Sequence, residues 1–453
     1  MTRLQRYILS ISILASFVAF LDGSVVNVAL PAIKHTLGGG LTGQQWIVDS
    51  YLTTLGAIIL VAGSMSDLYG RKRVLLAGLV SFGVTSLLCA SSPTITTLVI
   101  ARALQGVAGA LLVPSSLALI TSNFEGGAKA KAIGTWTGWT GLAFIIGPLL
   151  GGSLVQYVNW RFIFVINVIP IVATLCLLRT VPTNDHHTKD VRIDVIGALL
   201  GALGLGLTVF GLIEQGHYGI LSPVVYLPFV VGILTLIGFL IHERTAEAPM
   251  LPLNIFTNRN FSTGNIATAA IYAALSVNTF TVIIFLQQVA KYTAFEAGLA
   301  LIPVTLIMFF MSPRFGKLSG SRGPRLFMTF GPLIAALGFL GLLRVGVKAP
   351  YITDMLPVFL IFAVGLSMTV SPLTGAVLSA LPSAESGIAS AVNNAVARIA
   401  GLIGIAAISL VTGSGLDVNG LHKTAMAMSI LLAVGGIVSF IGIRNTPLVP
   451  EVK

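Results

Sequence analysis

The chain has few charged residues. Of its 453 residues, 9% are Asp, Glu, Lys or Arg, whereas an average soluble domain carries about 25%. This scarcity excludes an ordinary soluble protein. The 26 basic residues outnumber the 15 acidic ones, but they are scattered between apolar runs. A nucleic-acid partner would require clustered basic residues on a soluble face, so we expect none.

The motifs of several soluble chemistries are also missing. No G-x-x-x-x-G-K-[ST] phosphate loop occurs, so we predict no nucleotide site. The two cysteines, Cys89 and Cys176, are predicted near opposite membrane faces, far beyond the ~7 Å Cα limit of a disulfide. The six histidines lie in connecting segments without the spacing of metal ligands. We therefore expect no metal, no other cofactor and no enzymatic activity.

Apolar residues dominate what is present. They make up 55% of the chain, and the mean hydropathy is +0.95. Since a membrane-crossing helix needs roughly 20 apolar residues, the length and the apolar content predict about twelve to fourteen crossings. Long uninterrupted apolar runs exclude an alternating membrane β-barrel. The predicted helices lie near 7–32, 45–64, 74–92, 96–120, 132–153, 161–179, 193–213, 223–241, 261–287, 296–313, 326–346, 353–374, 386–411 and 424–443.

The distribution of basic residues predicts the orientation of these fourteen helices. With the N-terminus inside, 18 Lys and Arg residues fall in cytoplasmic segments, 6 in outer segments and 2 within helices. Lys and Arg are enriched on the cytoplasmic side of membrane proteins. We therefore predict a multi-pass protein of the cytoplasmic membrane, surrounded by membrane lipid, with both termini in the cytoplasm.

An internal repeat divides the chain. The segments Gly63–Arg73 and Gly316–Arg325 are similar, are predicted as loops that follow apolar helices, and start 253 residues apart. Six crossings with their loops occupy about 180 to 190 residues, which leaves room for one additional helix pair. This spacing predicts a six-helix bundle over 1–190, a two-helix insertion over 191–255 and a second six-helix bundle over 256–453.

The first repeat segment carries a family resemblance. Gly63–Arg73 resembles the signature G-x-L-x-D-x-x-G-R-[KR]-[KR] of the major facilitator superfamily. Further segments across essentially the whole chain are similar to the fourteen-span drug:proton antiporter branch, namely 21–31, 46–51, 102–106, 147–152, 160–161 and Asn167. The resemblance implies an all-α major facilitator fold, with two six-helix bundles plus two inserted helices, and export of drugs driven by the proton-motive force.

Two charged residues are predicted deep within helices. At 1.5 Å per residue, Asp22 lies ~13 Å and Arg102 ~9 Å from the outer face, so the two side chains could interact. Charge in the hydrocarbon region is costly and normally faces a cavity or a partner. We interpret Asp22 as a proton or cation site, the alternative being a hydrogen-bonded structural acid. The resemblance implies proton transfer for Arg102, and a structural cross-helix clamp is the alternative.

Asp49 is a less deeply placed candidate. It lies about four residues into the second helix, ~6 Å from the outer interface. We interpret it either as a structural acid at the interface or as a second proton-coupling or substrate residue.

Two glycine-containing motifs complete the candidate sites. The resemblance implies that Gly63, Asp67, Gly70 and Arg71 form a conformational latch with the helix beginning near 383–387; the alternative is a turn carrying only orienting positive charges. Gly147, Pro148, Gly151 and Gly152 form a motif that the resemblance associates with antiporters. Proline bends helices and glycine permits close helix packing, so a purely packing role is the alternative.

The sequence therefore predicts a proton-coupled antiporter that exports lipophilic cationic compounds by alternating access, acting as a monomer. Two alternatives remain: an exporter of an endogenous metabolite such as an amino acid, a siderophore or a lipid-like molecule, and a non-transporting membrane receptor on the same fold.

Overall fold

The computed structural model describes residues 1–181, 194–247, 249–382, 386–413 and 415–445. In the first half of this described part, the helices are α1 (Arg3–Leu37), α2 (Gly40–Tyr69), α3 (Arg71–Ser91), α4 (Ile95–Asn123), α5 (Gly126–Gly141), α6 (Ala143–Tyr157), α7 (Phe162–Val165), α8 (Val168–Leu178), α9 (Val195–Tyr218) and α10 (Pro223–Thr245). In the second half they are α11 (Arg259–Gln288), α12 (Ala294–Ala300), α13 (Ile302–Arg322), α14 (Pro324–Leu340), α15 (Leu356–Ser379), α16 (Ser386–Ala406), α17 (Ile408–Thr412) and α18 (Val418–Gly442).

The chain divides into two compact units. The first contains Met1–Leu251 together with Tyr292–Leu299, and the second contains Pro252–Lys291 and Ala300–Lys453. Within the first unit, α1 packs against α4, α6 and α8, while α4 also packs along α2 and α3. Within the second, α11 packs against α16 and α18, and α15 packs against α13 and α14.

Local sequence signals define where several helices begin. Thr2 and Thr94 each form a capping box at the start of α1 and α4, in which a side chain satisfies a backbone N–H that has no partner within the helix. Helix α1 extends on both sides of Asp22, and α4 extends on both sides of Arg102, so both residues lie inside continuous helices. Both side chains point into the first unit, where they are 0% and 1% exposed.

The inserted pair, α9 and α10, packs closely together and belongs to the first unit. Backbone approach is close because a Cβ on Gly232 would lie 2.6 Å from the Thr208 amide nitrogen. Helix α9 also packs against α2, where Trp46 Nε1 donates a hydrogen bond of 2.8 Å to Glu214 Oε1. Much of α10 is exposed, which suits a helix that faces lipid.

The signature segment after α2 corrects one prediction. We expected a loop over Gly63–Arg73, but α2 continues to Tyr69 and only Gly70 separates it from α3. Gly70 has φ of +95°, a backbone conformation that residues with a Cβ rarely adopt. The second copy has the same form, because α13 continues to Arg322 and Gly323 has φ of +85° before α14.

Twelve segments of the described chain are long and apolar enough to cross a membrane. Two other helical regions are outside that set: α2, which has 30 residues, and the shorter apolar region Phe162–Leu178. Each of the fourteen predicted helices therefore has a helical counterpart, while twelve meet the requirements of length and composition.

Candidate functional site

The centre of the candidate site is the carboxylate of Asp22 on α1. Its Oδ2 accepts a hydrogen bond of 2.5 Å from Arg102 Nη1, and its Oδ1 accepts from Gln105 Nε2 at 3.0 Å and from Asn167 Nδ2 at 2.9 Å. The Asp22–Arg102 interaction predicted from helix depth is therefore present. Three donors, from Arg102, Gln105 and Asn167, therefore surround one buried carboxylate.

Arg102 on α4 is held from several directions. Its Nε donates to the Ile47 carbonyl oxygen at 3.1 Å and its Nη1 to Gln105 Oε1 at 2.7 Å. The guanidinium carbon lies 4.2 Å from the centre of the Tyr51 ring, a distance at which the ring face attracts the cation. A buried guanidinium with these partners is fixed in position next to Asp22.

Neutral polar groups extend this pair into a network across the helices of the first unit. Gln105 Nε2 also donates to Ser86 Oγ at 2.8 Å, and the Cys89 thiol donates to Gln105 Oε1 at 3.4 Å. Asn167 lies between α7 and α8 and is fully buried. Sequence reasoning gave Gln105 and Asn167 no individual role, although both lie in the segments that resemble the antiporter branch. In the sequence, the only feature of these residues themselves that could indicate a role is a polar amide within an apolar segment.

Asp49 on α2 lies in the interior of the first unit. It is fully buried, and neither carboxylate oxygen has a hydrogen-bond partner in the described part of the protein. A structural acid is normally stabilised by hydrogen bonds or by water, and Asp49 forms no such bond within the described residues; its interpretation as a structural acid stays a prediction. The predicted alternative, a second proton-coupling or substrate residue, remains a proposal.

The predicted latch is only partly described. The side chain of Asp67, residues 383–385 and the side chains of 386 and 387 lie outside the described part, and so does the contact expected between them. Gly63 lies on an open stretch of α2, where an added Cβ would meet no atom of the described chain within 4 Å. Arg71 begins α3 directly after Gly70. The latch therefore remains a prediction.

The glycine–proline motif lies on α6 and packs tightly. Gly147, Pro148, Gly151 and Gly152 are all buried. A Cβ on Gly147 would lie 2.5 Å from Ser24 Oγ, two residues beyond Asp22 on α1. On the other side of α6, a Cβ on Gly152 would lie 2.7 Å from the Ala294 carbonyl oxygen. The motif thus joins the Asp22 helix to the segment Tyr292–Leu299 within the first unit.

A family model decides the identity of this fold. The model described as Major Facilitator Superfamily matches residues 12–405. The chain belongs to this superfamily. It is accordingly a multi-pass membrane transporter and not an enzyme. No group of three His, Cys, Asp or Glu side chains in the described part of this transporter could hold a metal ion.

Relatives of the transporter include resistance and export proteins. The transporter is 31% identical to the puromycin resistance protein of Streptomyces alboniger, covering 92% of this chain and 84% of that protein. It is 31% identical to the methylenomycin A resistance protein of Bacillus subtilis, covering 88% and 86%. The multidrug resistance protein Stp of Mycobacterium tuberculosis is also 31% identical, covering 92% and 78%.

Solved structures share the fold of this transporter. The peptide transporter POT matches with a TM-score of 0.71 and 14% identity, covering 96% of this chain and 94% of that one. The xylose transporter XylE of E. coli matches with a TM-score of 0.69 and 15% identity, covering 98% and 97%.

Proposed function

We propose that this major facilitator transporter is a proton-coupled antiporter that exports lipophilic cationic compounds from the cytoplasm. The observation that carries the proposal is the buried pair of Asp22 and Arg102. A carboxylate paired with a permanent cation inside a membrane protein is costly to maintain, and ionisable residues in such positions commonly mark proton relays. The names of relatives, which are antibiotic resistance and export proteins, support export as the direction of transport and drugs as the substrates.

The coupling step follows from the occupancy of the carboxylate. The protein's own donors occupy both Asp22 oxygens, so a cationic substrate cannot bind this carboxylate in the described state. A proton arriving at Asp22 would neutralise it and weaken its attraction for Arg102. Binding of a proton and binding of substrate would then favour different states of the Asp22–Arg102 pair. Each would therefore promote release of the other during alternating access between two bundles.

We propose that fourteen helices cross the membrane, with both termini in the cytoplasm. The twelve long apolar segments, together with α2 and Phe162–Leu178, support this number. The boundaries that we propose remain 1–190 and 256–453 for the six-helix bundles, with the insertion over 191–255. The packing of α9 on α2 supports a stable attachment of the insertion to the first bundle.

The remaining sites have roles in the same cycle. We propose Asp49 as a second proton-coupling residue, because its carboxyl group is buried without a partner. The latch at Gly63, Asp67, Gly70 and Arg71 would control switching more than substrate binding. The motif from Gly147 to Gly152 would keep α6 tightly packed and limit leakage. We expect a monomer that uses no bound cofactor.

The test is substrate-driven proton movement in vesicles containing the full-length protein. With an imposed pH gradient and ethidium as a lipophilic cationic probe, the wild type is expected to release protons when ethidium is added. Asp22→Asn is expected to bind ethidium and to abolish this release. Glu125→Gln is a matched control, because Glu125 is exposed at the start of α5. Absence of proton movement in the wild type, with ethidium and with a panel of diverse toxic compounds, would refute antiport.

The same assay separates the alternatives. Proton release with an amino acid or siderophore, and none with lipophilic cations, would indicate a metabolite exporter. Ligand binding without movement across the membrane in the wild type would indicate a receptor.

A further inference from the structure

The NH₂ group of the buried Asn167 amide forms hydrogen bonds, whereas its carbonyl oxygen has no partner among the described residues. Its Nδ2 donates to Asp22 Oδ1 at 2.9 Å and lies 3.4 Å from Ser86 Oγ. Its Oδ1 is buried and has no hydrogen-bond partner within the described residues. A buried acceptor left without a donor costs free energy and is uncommon in native structures.

The chemistry of Asp22 determines this orientation of the amide. An ionised carboxylate only accepts hydrogen bonds, and an amide carries donors on nitrogen and an acceptor on oxygen. The NH₂ group of Asn167 must therefore face Asp22 while Asp22 is charged, and the carbonyl oxygen must point away. Once Asp22 is protonated, its new O–H is a donor and requires an acceptor.

The second amide beside Asp22 cannot supply that acceptor. Gln105 Oε1 accepts from Arg102 Nη1 at 2.7 Å and from the Cys89 thiol at 3.4 Å. Rotation of Gln105 would place its NH₂ group against the guanidinium, where donor would meet donor. Asn167 is less restrained, because its carbonyl oxygen loses no partner when the amide turns and its Nδ2 gives up, besides Asp22 Oδ1, only the long 3.4 Å bond to Ser86 Oγ.

We propose that Asn167 is a positioning residue that turns its amide when Asp22 takes up a proton. The inference rests on the proposed role of Asp22 as the coupled proton site. In the charged state the Asn167 NH₂ group donates to Asp22 Oδ1. After protonation the amide rotates about its Cβ–Cγ bond, and Asn167 Oδ1 accepts from the carboxylic O–H. The incoming proton stays on Asp22, and only hydrogen bonds break or form.

Other titratable groups around Asp22 are suited to this exchange. The charged or titratable side chains that face the pair are Arg102 itself, the Cys89 thiol on α3 and the Tyr51 phenol on α2. Asp49 is buried on the same helix as Tyr51. Arg102 remains charged throughout, since a guanidinium does not deprotonate in proteins. Turning of Asn167 would therefore stabilise the protonated carboxyl group while leaving the guanidinium with Ile47, Gln105 and the Tyr51 ring.

The test is an infrared titration of the full-length protein in lipid, which needs no transport. Loss of a band in Asp22→Asn assigns the protonated carboxyl group, and loss of a band in Asn167→Leu assigns the side-chain amide carbonyl. On acidification we expect the Asn167 carbonyl band to move to lower frequency as the Asp22 carboxyl band grows, because the carbonyl gains a donor. This shift should be absent in Asp22→Asn and unchanged in Asn265→Leu, a control at another buried asparagine, on α11.

The pH midpoint of Asp22 protonation gives a second readout. If Asn167 serves both states, Asn167→Leu removes one hydrogen bond from each, and the midpoint moves by less than about half a pH unit. If Asn167 is only a donor to the charged carboxylate, the midpoint rises by about one unit or more. An amide band that stays fixed while Asp22 protonates would overturn the inference, and so would that larger midpoint shift. Proton movement in vesicles decides the antiporter proposal separately.

Discussion

Asp22 and Arg102 should be strongly coupled in stability as well as in position. The two side chains are 0% and 1% exposed and lie 2.5 Å apart. Removing one partner of such a buried pair leaves an uncompensated charge, which typically costs about 3 to 5 kcal/mol. The perturbations are Asp22→Asn, Arg102→Met and the double variant.

The neighbours of the pair set the expected order of effects. In Asp22→Asn, Arg102 keeps the Ile47 carbonyl, Gln105 Oε1 and the Tyr51 ring, so the loss should be near 3 kcal/mol. Among the contacts described above, Arg102 is the only cation that bonds to Asp22, and Arg102→Met leaves Asp22 with two neutral amide donors. The loss of unfolding free energy in Arg102→Met should therefore lie toward the upper end of the range of about 3 to 5 kcal/mol. The double variant contains no unpaired charge. Its loss should therefore be smaller than the sum of the single losses by about 3 kcal/mol or more.

The assay is denaturant unfolding of the purified variants in one detergent at one pH and protein concentration. Matched controls are Glu125→Gln, Arg73→Met and their double variant, because both side chains are exposed. Effects of distant sites usually add within about 0.5 kcal/mol. A coupling energy below about 1 kcal/mol for the Asp22–Arg102 cycle would refute the conclusion that the pair is held together in the folded protein.

Two further predictions concern helix packing in the first unit. Gly106→Val should abolish accumulation of folded protein in the membrane, because a Cβ at this position would collide with the backbone of α2. Its control is Gly63→Ala, on an open part of α2. This variant should fold normally and gain up to about 1 kcal/mol of helix propensity. Equal yields of the two variants, measured by size-exclusion chromatography, would contradict the packing described for α4. Trp46→Phe should lower the unfolding free energy by about 1.5 kcal/mol, because the indole N–H donates to the Glu214 carboxylate. Trp139→Phe is its control, since Trp139 is 55% exposed, and an equal loss in both variants would exclude a specific contribution from the Trp46 bond.

Hydrophobic patterning predicted most of the helices because each crossing must be long and apolar. The boundaries were less accurate where a motif looked like a loop. Between Gly63 and Tyr69 no residue prevents a helix, so the helix continues until Gly70, where a positive φ is required. The Phe162–Leu178 region was predicted as one helix but divides into α7 and α8. That division lies next to Asn167, where the side chain reaches Asp22.

The candidate site was predicted in outline and not in detail. Asp22 and Arg102 were recognisable because charge within an apolar helix is costly and therefore conspicuous. Helix depth also predicted that the two could meet. The partners Gln105, Asn167 and Ser86 could not be assigned, because an uncharged polar side chain is common in helices of this kind. The burial of Asp49, and the lack of a hydrogen-bond partner for it among the described residues, depend on neighbouring helices that sequence position does not reveal.

The sequence by itself determined the class of this protein, a helical membrane transporter of the Major Facilitator Superfamily, and the two charged residues that lie buried in its first unit. Local composition is sufficient to recognise both features. A membrane crossing is a run of consecutive apolar residues, and a charged residue within such a run is recognisable because charge is costly in lipid. Only the tertiary structure decided which donors surround Asp22 and that Asn167 retains an unpartnered carbonyl oxygen. These features arise where α1, α3, α4 and the α7–α8 junction meet, and hydrogen bonds between helices depend on distances that no single segment specifies.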